Sequence, residues 1–149
     1  MKYDHKYPSC SRTYSTLRIY PKDLHPDVVT NKLKIKPTRI IELGTIVAKG
    51  RRAVNGWFLS TKGKLKSKDT RRHIDWILDR VENVSNEINE LQKDGFSMDI
   101  SCYWGSAWGK GGPAISPEQM ARLAKLNLMV WWDVYFECDD EENESADNT

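Results

Sequence analysis

The chain has 149 residues, of which 39% are hydrophobic and 30% are charged, and its formal net charge is +2. This length and composition predict one domain with a core of its own, and no apolar run approaches the ~20 residues that a membrane-spanning helix requires. The polar start lacks the apolar core of a secretion signal, and the three cysteines lack metal-type spacing, so we expect a reducing, cytoplasmic location.

The charge is strongly segregated along the sequence. Thirteen bases and only two acids lie between Lys32 and Arg72, whereas residues 137–149 hold seven acids and no base. Because residues 139–149 have no apolar anchor, we expect them to form a disordered acidic tail. We expect residues 1–12 to be a flexible lead and residues 13–138 to form the single folded domain.

The first half of the chain is predicted to contain three strands and one short helix. Alternating apolar residues indicate a strand over 13–20, and Pro26 with Asp27 suits the first turn of a helix over 23–33. Strands at 40–48 and 56–61 follow. Their connection contains Asn55-Gly56, a strong turn pair, so a hairpin is expected.

The second half is predicted to begin with the longest helix. Asp69 or Thr70 can cap its start, and Gly95 follows its end. Its apolar residues recur seven positions apart and form one stripe, which must pack against a sheet or another helix. Alternation predicts strands at 96–104 and 130–138, with a helix over 117–126 between them.

Two stretches, 17–37 and 98–128, show the same pattern of a strand, a loop, a proline-acid helix start and an apolar stripe. Such a unit cannot bury its apolar face alone, so two copies imply one shared sheet. The predicted fold class is α+β in the order β-α-β-β-α-β-α-β. Its helices are expected on one face of a mostly antiparallel sheet.

Six short motifs occur along the chain: TLRIY at 16–20, IKPTR at 35–39, GWFLS at 56–60, HIDWIL at 73–78, DISCYW at 99–104 and ISPE at 115–118. In their order, the chain resembles the mainly bacterial family known as domain of unknown function 4279. The resemblance covers roughly residues 13–137 and implies an α+β fold. It supplies no reaction and no catalytic residues, and the basic stretch 62–68 and the acidic tail look specific to this chain.

The basic middle of the chain is the first candidate site. Its cations on or beside the hairpin are Arg51, Arg52, Lys62, Lys64, Lys66 and Lys68. Basic loops with a nearby aromatic residue, here Trp57, can bind nucleic-acid phosphates, and they can equally bind an acidic protein surface. The third interpretation is a solvated loop without a partner.

The tryptophans are the second candidate. Trp104 and Trp132 follow the inward pattern of their strands, whereas the others are harder to place inside: Trp57, Trp76, Trp108 and Trp131. Exposed tryptophan is typical of binding hot spots. The alternative is that these rings cover the edges of the sheet.

A pocket beneath the glycine-containing loop 105–113 is the third candidate. Asp99 and Asp133 fall on the outward faces of two strands that could be neighbours, and Tyr103 and Tyr135 share those faces. Two close carboxylates would separate their pKa values, as general acid–base chemistry requires. Exposed acids on a sheet face are the simpler explanation, and the loop lacks the Walker spacing of a phosphate-binding loop.

No arrangement of a nucleophile with a base, and no metal-type spacing, stands out in the sequence. The favoured hypothesis is therefore a non-catalytic protein-binding module without a cofactor, in its most specific form an immunity or antitoxin-type protein. The alternatives are nucleic-acid binding through the basic hairpin and a small-molecule or enzymatic site under the 105–113 loop. Candidate partner contacts are Arg51, Arg52, Trp57, Lys62, Lys64, Lys66, Trp76 and Trp108.

Overall fold

The computed structural model describes residues 1–44 and 54–137. The strands of this part are β1 (Cys10–Tyr20), β2 (Arg39–Ile41), β3 (Gly56–Ser60), β4 (Ser97–Ser106) and β5 (Met129–Phe136). The helices are α1 (Asp27–Leu33), α2 (Thr70–Val81), α3 (Ser85–Lys93) and α4 (Pro117–Lys125), with a 3-10 turn at Glu82–Val84 between α2 and α3. The predicted α+β class and the order of elements are confirmed.

The described strands form one five-stranded sheet in the order β2-β3-β1-β4-β5. β1 is central and pairs antiparallel with both β3 and β4, and β2 pairs antiparallel with β3. β4 and β5 are parallel, which requires a crossover connection, and α4 supplies it. The two predicted strand-helix units therefore meet at their first strands, β1 and β4.

The helices cover one face of the sheet. Alternate residues of the central strands point toward them and are fully buried, including Leu17, Ile19, Ile100 and Cys102. No helix within the described residues is both long and apolar enough to cross a bilayer. Because the residues between these buried positions point the other way, the second face of the sheet is left as a separate surface.

The longest predicted helix is divided into α2 and α3. Val81 and Val84, at the two ends of the 3-10 turn, have φ angles of −104° and −118°, away from helical values. Both are β-branched, and Asn83 lies between them, so local helix propensity is weak there. Ile74, Val81 and Ile88 are nevertheless 0% exposed, so the apolar stripe faces the core along both helices.

The lead expected over residues 1–12 overlaps the first strand. β1 already begins at Cys10, and the preceding residues are hydrogen-bonded along the start of α2. The hydroxyl of Tyr3 donates to Asp75 Oδ2 at 2.6 Å, and the Asp4 amide donates to Asp69 Oδ2 at 2.7 Å. Such contacts are between distant parts of the sequence and leave no periodic pattern.

Several sequence predictions lie outside the described residues. They concern the acidic tail 139–149, most of the hairpin connection, the later part of the strand predicted over 40–48, and Cys138. Within the described part, β2 is only three residues long and gives way to a turn at residues 43–44.

The buried side chain of His73, at the start of α2, makes the stability of the fold depend on pH. It is 0% exposed, its Nε2 donates to the carbonyl of Ser67 at 2.7 Å, and its Nδ1 accepts from the Thr61 hydroxyl at 2.6 Å. Burial lowers the pKa of His73. The unfolded chain, with a histidine pKa of about 6.5, binds the proton more readily. The folded state is therefore fully stabilised by neutral His73 when the pH is above the unfolded-state pKa. This stabilisation is lost as the pH falls through the lowered pKa of the folded state.

We therefore expect the wild-type free energy of unfolding to fall more steeply between pH 7.5 and 5 than that of His73→Gln. Urea unfolding at a series of pH values measures both slopes. Glutamine can keep an acceptor for Thr61 and a donor for Ser67 but cannot take up the proton. Parallel slopes for the two proteins would contradict the assignment.

Candidate functional site

The face of the sheet opposite the helices carries three aligned tyrosines, Tyr14, Tyr103 and Tyr135, here called the tyrosine ladder. Tyr14 is paired with Tyr103 in the register of β1 and β4, so their side chains project side by side. Their ring centroids are 4.9 Å apart with an interplanar angle of 2°, and those of Tyr103 and Tyr135 are 4.9 Å apart at 19°. The ladder thus spans three strands as one rigid aromatic surface.

Two cations flank the ladder. The Arg12 guanidinium lies 4.8 Å from the centroid of the Tyr103 ring, and the Lys62 ammonium lies 5.1 Å from that of Tyr14. Both distances allow a cation–π attraction. Tyr103 has a stacked ring on each side, and Tyr14 lies between Tyr103 and Lys62, so the faces of these two rings are already occupied. Tyr14 and Tyr103 can therefore contact a partner through their ring edges and hydroxyl groups.

Glu137 holds Tyr103, the middle tyrosine of the ladder, in place. It accepts hydrogen bonds from the hydroxyls of Ser11 and Tyr103, and from Arg12 Nε at 3.2 Å. Burial alone would raise the pKa of the Glu137 carboxyl, but these hydrogen bonds outweigh it and hold the pKa below its usual value. Burial and the bond to Glu137 raise the pKa of Tyr103. At neutral pH Glu137 is therefore an ionised carboxylate that accepts hydrogen bonds from protonated donors.

The strand β5 at the edge of the sheet exposes an unusual amount of apolar surface. In the described residues it pairs only with β4. Five of its eight residues are large hydrophobic residues at least half exposed, and we call them the aromatic edge: Met129, Trp131, Val134, Tyr135 and Phe136. Exposed edge strands of this length are usually protected in monomeric proteins, because their free backbone groups can pair with another chain.

Trp108, a predicted contact residue, lies beside the aromatic edge. It is 68% exposed, and a Cβ placed on the adjacent Gly109 would be 3.9 Å from the Phe136 ring. The loop that carries Trp108 is held in place because the Ala107 amide donates to the Ser9 carbonyl at 3.0 Å. The 105–113 loop thus adds an exposed indole next to the end of β5.

The predicted basic surface is present in part. Lys62, Lys64 and Lys66 are exposed in the loop after β3, and the ion pairs within the described residues use other cations. Lys62 brings this loop to the tyrosine ladder. Arg51 and Arg52 lie outside the described residues.

Two predicted tryptophan contacts are less accessible than expected. Trp57 is 0% exposed and its Nε1 donates to Thr30 Oγ1 at 3.0 Å, so its assignment to the surface is wrong. The pairing of Trp57 with Ile19 turns it toward the helices and leaves Phe58 on the opposite face. Trp76 is half-buried against the core, and the Arg80 guanidinium lies 3.4 Å from the centroid of its ring.

The predicted pocket of Asp99, Tyr103 and Asp133 does not form. Asp99 is paired with Met129 in the register of β4 and β5, which leaves Asp133 four residues, or about 13 Å, farther along the sheet. Both Asp99 oxygens accept bonds from Arg18 at 2.7 Å, and Asp133 is exposed. The error came from the register, since the shared outward face was correct.

The described residues bring no group of three or more His, Cys, Asp and Glu side chains into an arrangement that could hold a metal ion. Cys10 and Cys102 are free and buried, and burial raises their pKa values to about 11 and about 12. Thiols held in this protonated form are poor nucleophiles at neutral pH.

Comparison with known proteins yields one family. A family model described as Domain of unknown function (DUF4279) matches residues 11–137, which extends from β1 through the end of β5. No curated protein matches the chain, and neither does any solved structure. The resemblance inferred from the six motifs is confirmed.

Proposed function

Since the chain belongs to the family of domain of unknown function 4279, whose name assigns no activity, we propose from its surface that it is a non-catalytic protein-binding module. The observation that carries the proposal is the aromatic edge, where one eight-residue strand exposes five large hydrophobic side chains. Tryptophan and tyrosine dominate the energetic centres of protein interfaces. Trp131 and Tyr135 are the central anchors of the proposed interface, and Trp108 extends it.

The proposed partner is a different protein with an acidic surface. Arg12 and Lys62 flank the tyrosine ladder, and Lys64 and Lys66 are exposed in the same loop as Lys62. The acids beside the ladder are Glu137, which is bonded to Tyr103 and Arg12, and the exposed Asp133, which is paired with Tyr103 in the register of β4 and β5. A second copy of the chain facing this surface would bring the same cations together, whereas an acidic partner complements them. The partner is thus expected to cover the tyrosine ladder and the aromatic edge as one surface.

The most specific form of the proposal is an immunity or antitoxin-type protein that acts in the cytoplasm by covering a toxin. It is supported by the small single domain, the exposed anchor residues and the free, buried thiols, which suit a reducing compartment. Co-expression with the product of the neighbouring gene should give a stoichiometric complex and protection from that product.

Nucleic-acid binding is the competing function, because the lysines after β3 are exposed. Single-stranded nucleic acids bind by stacking bases on aromatic faces, and the faces of Tyr14 and Tyr103 are occupied by neighbours. Filter binding with single-stranded RNA and DNA separates the two functions. Affinity that falls steeply with salt would favour nucleic acid and oppose the proposal.

The hot-spot prediction is tested with Trp131→Ala and Tyr135→Ala. Each is expected to weaken the complex by about 30-fold or more, the usual loss at an interface hot spot. Met120→Ala is the matched control. Met120 is similarly exposed, at 55%, but it belongs to α4, on the helix side of the sheet. Isothermal titration calorimetry against the purified partner gives the three affinities.

Equal affinities for all variants would remove the aromatic edge as the interface. Size-exclusion chromatography of the isolated chain provides the further control. A dimer that Trp131→Ala dissociates would identify a second copy as the occupant of the edge and contradict the proposed hetero-partner.

A further inference from the structure

A cavity of about 330 Å³ lies between the start of α2, the end of β4 and the segment that precedes β1. Tyr7 and Trp104 supply aromatic walls, Lys68 and Arg71 supply cations, and Gly112 and Pro113 close it from the 105–113 side. Its volume falls at the lower end of the range of about 300–1,000 Å³ found for small-molecule sites. The cavity is on the helix side of the sheet, away from the tyrosine ladder.

Trp104 lines this cavity and has a buried hydrogen-bond donor without a partner in the described residues. The residue is 1% exposed, and within the described residues its indole Nε1 has no hydrogen-bond partner. Nearly all buried polar groups in native proteins are paired, and a buried indole N–H can only donate. Trp57, the other fully buried tryptophan, has its acceptor in Thr30. The indole N–H of Trp104 therefore lacks an acceptor within the described residues.

The two cationic residues that line the cavity, Arg71 and Lys68, differ in whether they already have an ion-pair partner. Arg71 is committed to Asp69, to which its Nε and Nη2 donate at 3.0 and 2.7 Å. The main-chain amide of Lys68 donates to the His5 carbonyl at 3.1 Å, which holds the residue at the cavity. None of the ion pairs in the described residues uses the Lys68 ammonium. Lys68 and Trp104 are thus two residues of the cavity wall whose side-chain donors have no ion-pair or hydrogen-bond partner in the part of the chain that the structure describes.

We propose that this cavity binds a small organic carboxylate, which accepts the Trp104 indole N–H and pairs with the Lys68 ammonium. The rings of Tyr7 and Trp104, with centroids 6.5 Å apart, and Pro113 accommodate the apolar body of the ligand. Asp4 also lines the cavity and is exposed, so it can pair with an ammonium group on the same ligand. A carboxylate that also carries an amine, such as a free amino acid, therefore fits best.

The cavity is preformed, which reduces the cost of binding. Asp69 accepts the amides of both Asp4 and Arg71, so the segment before β1 is tied to the start of α2. On the other side, Ser106 Oγ donates to the Lys110 carbonyl at 2.9 Å and shapes the following loop. A ligand entering the cavity has few groups to order, which favours affinity.

The test uses the full chain labelled with ¹⁵N and the resonances of its six indole N–H groups, with Trp104 assigned from Trp104→Phe. The probes are L-phenylalanine, 3-phenylpropionate, which lacks the amine, and phenethylamine, which lacks the carboxylate. Both carboxylates should shift the Trp104 resonance downfield, with dissociation constants on the order of 1 mM for molecules of this size. Sodium chloride at matched concentration controls for ionic strength.

Two lysine variants make the test specific. Lys68→Gln should weaken 3-phenylpropionate binding about tenfold, as expected for loss of a charged hydrogen bond. Lys36→Gln, which replaces an exposed lysine that does not line the cavity, should leave it unchanged. A Trp104 resonance that none of the three probes moves, or that only phenethylamine moves, would overturn the proposal. Equal weakening by both lysine variants would also overturn it, because it would indicate non-specific attraction.

Discussion

Replacement of Trp57 by alanine is expected to lower the free energy of unfolding by about 3–5 kcal/mol, the usual cost of truncating a large buried aromatic residue. Trp57 is 0% exposed, packs in the core between β3 and the helices, and links β3 to α1 through its bond to Thr30. Alanine would leave a cavity and deprive the Thr30 hydroxyl of a partner. Because domains are stable by only about 5–15 kcal/mol, this loss is a large fraction of the total. Urea unfolding followed by circular dichroism measures it.

Trp131→Ala is the matched control for this prediction. The same side chain is removed, but Trp131 is 52% exposed on β5, so the change in unfolding free energy should stay within about 0.5 kcal/mol. The pair of variants separates a structural tryptophan from a proposed binding one. Similar losses for the two variants would show that the burial of Trp57, or the exposure of Trp131, is misassigned.

The second large effect is expected at Asp75, which joins three parts of the chain. Its carboxylate accepts from Tyr3 Oη at 2.6 Å, from Gln119 Nε2 at 2.8 Å and from Arg122 Nη1 at 2.9 Å. Only 9% of the side chain is exposed. Burial, followed by the bond to Asp75, raises the pKa of Tyr3 to about 12, so Tyr3 remains a donor at neutral pH.

Asp75→Ala is therefore expected to cost about 3 kcal/mol, since removing one partner leaves the buried groups around it unpaired. Asp79→Ala is the control, because Asp79 binds the same guanidinium through Arg122 Nη2 at 2.7 Å but is 62% exposed. Exposed ion pairs contribute at most about 1 kcal/mol. Urea unfolding of both variants at neutral pH gives the comparison. A larger loss for Asp79→Ala than for Asp75→Ala would refute the role assigned to burial.

The elements with regular periodicity could be predicted from the sequence. The alternation around Leu17 and Ile19 identified β1, and the recurring apolar residues of 74–91 identified α2 and α3. Asp69 caps α2 as predicted, with its side chain accepting from the Arg71 amide, and Gly95 follows α3 at a φ of +85°. These signals are local, because a helix or strand repeats its pattern within a few residues.

The candidate site was predictable only in part. Tyr103 and Tyr135 could be assigned to one outward face from alternation alone, but Tyr14 joins them because β1 pairs with β4 in one particular register. The predicted pocket failed at the same step, since the register of β4 and β5 separates Asp99 from Asp133. Register depends on which strands are neighbours, and a strand pattern does not name its neighbour.

The sequence by itself determined the fold class, the order of elements and the family, because these follow from periodicity, helix caps and motifs within short stretches. Only the tertiary structure decided which surface could be functional. It buried Trp57, exposed Trp131 on an edge strand, gathered the tyrosine ladder from three strands and brought Lys68 to the cavity beside the unpaired indole of Trp104. Each outcome depends on contacts between residues far apart in the chain, whose formation is set by strand order and packing rather than by local pattern.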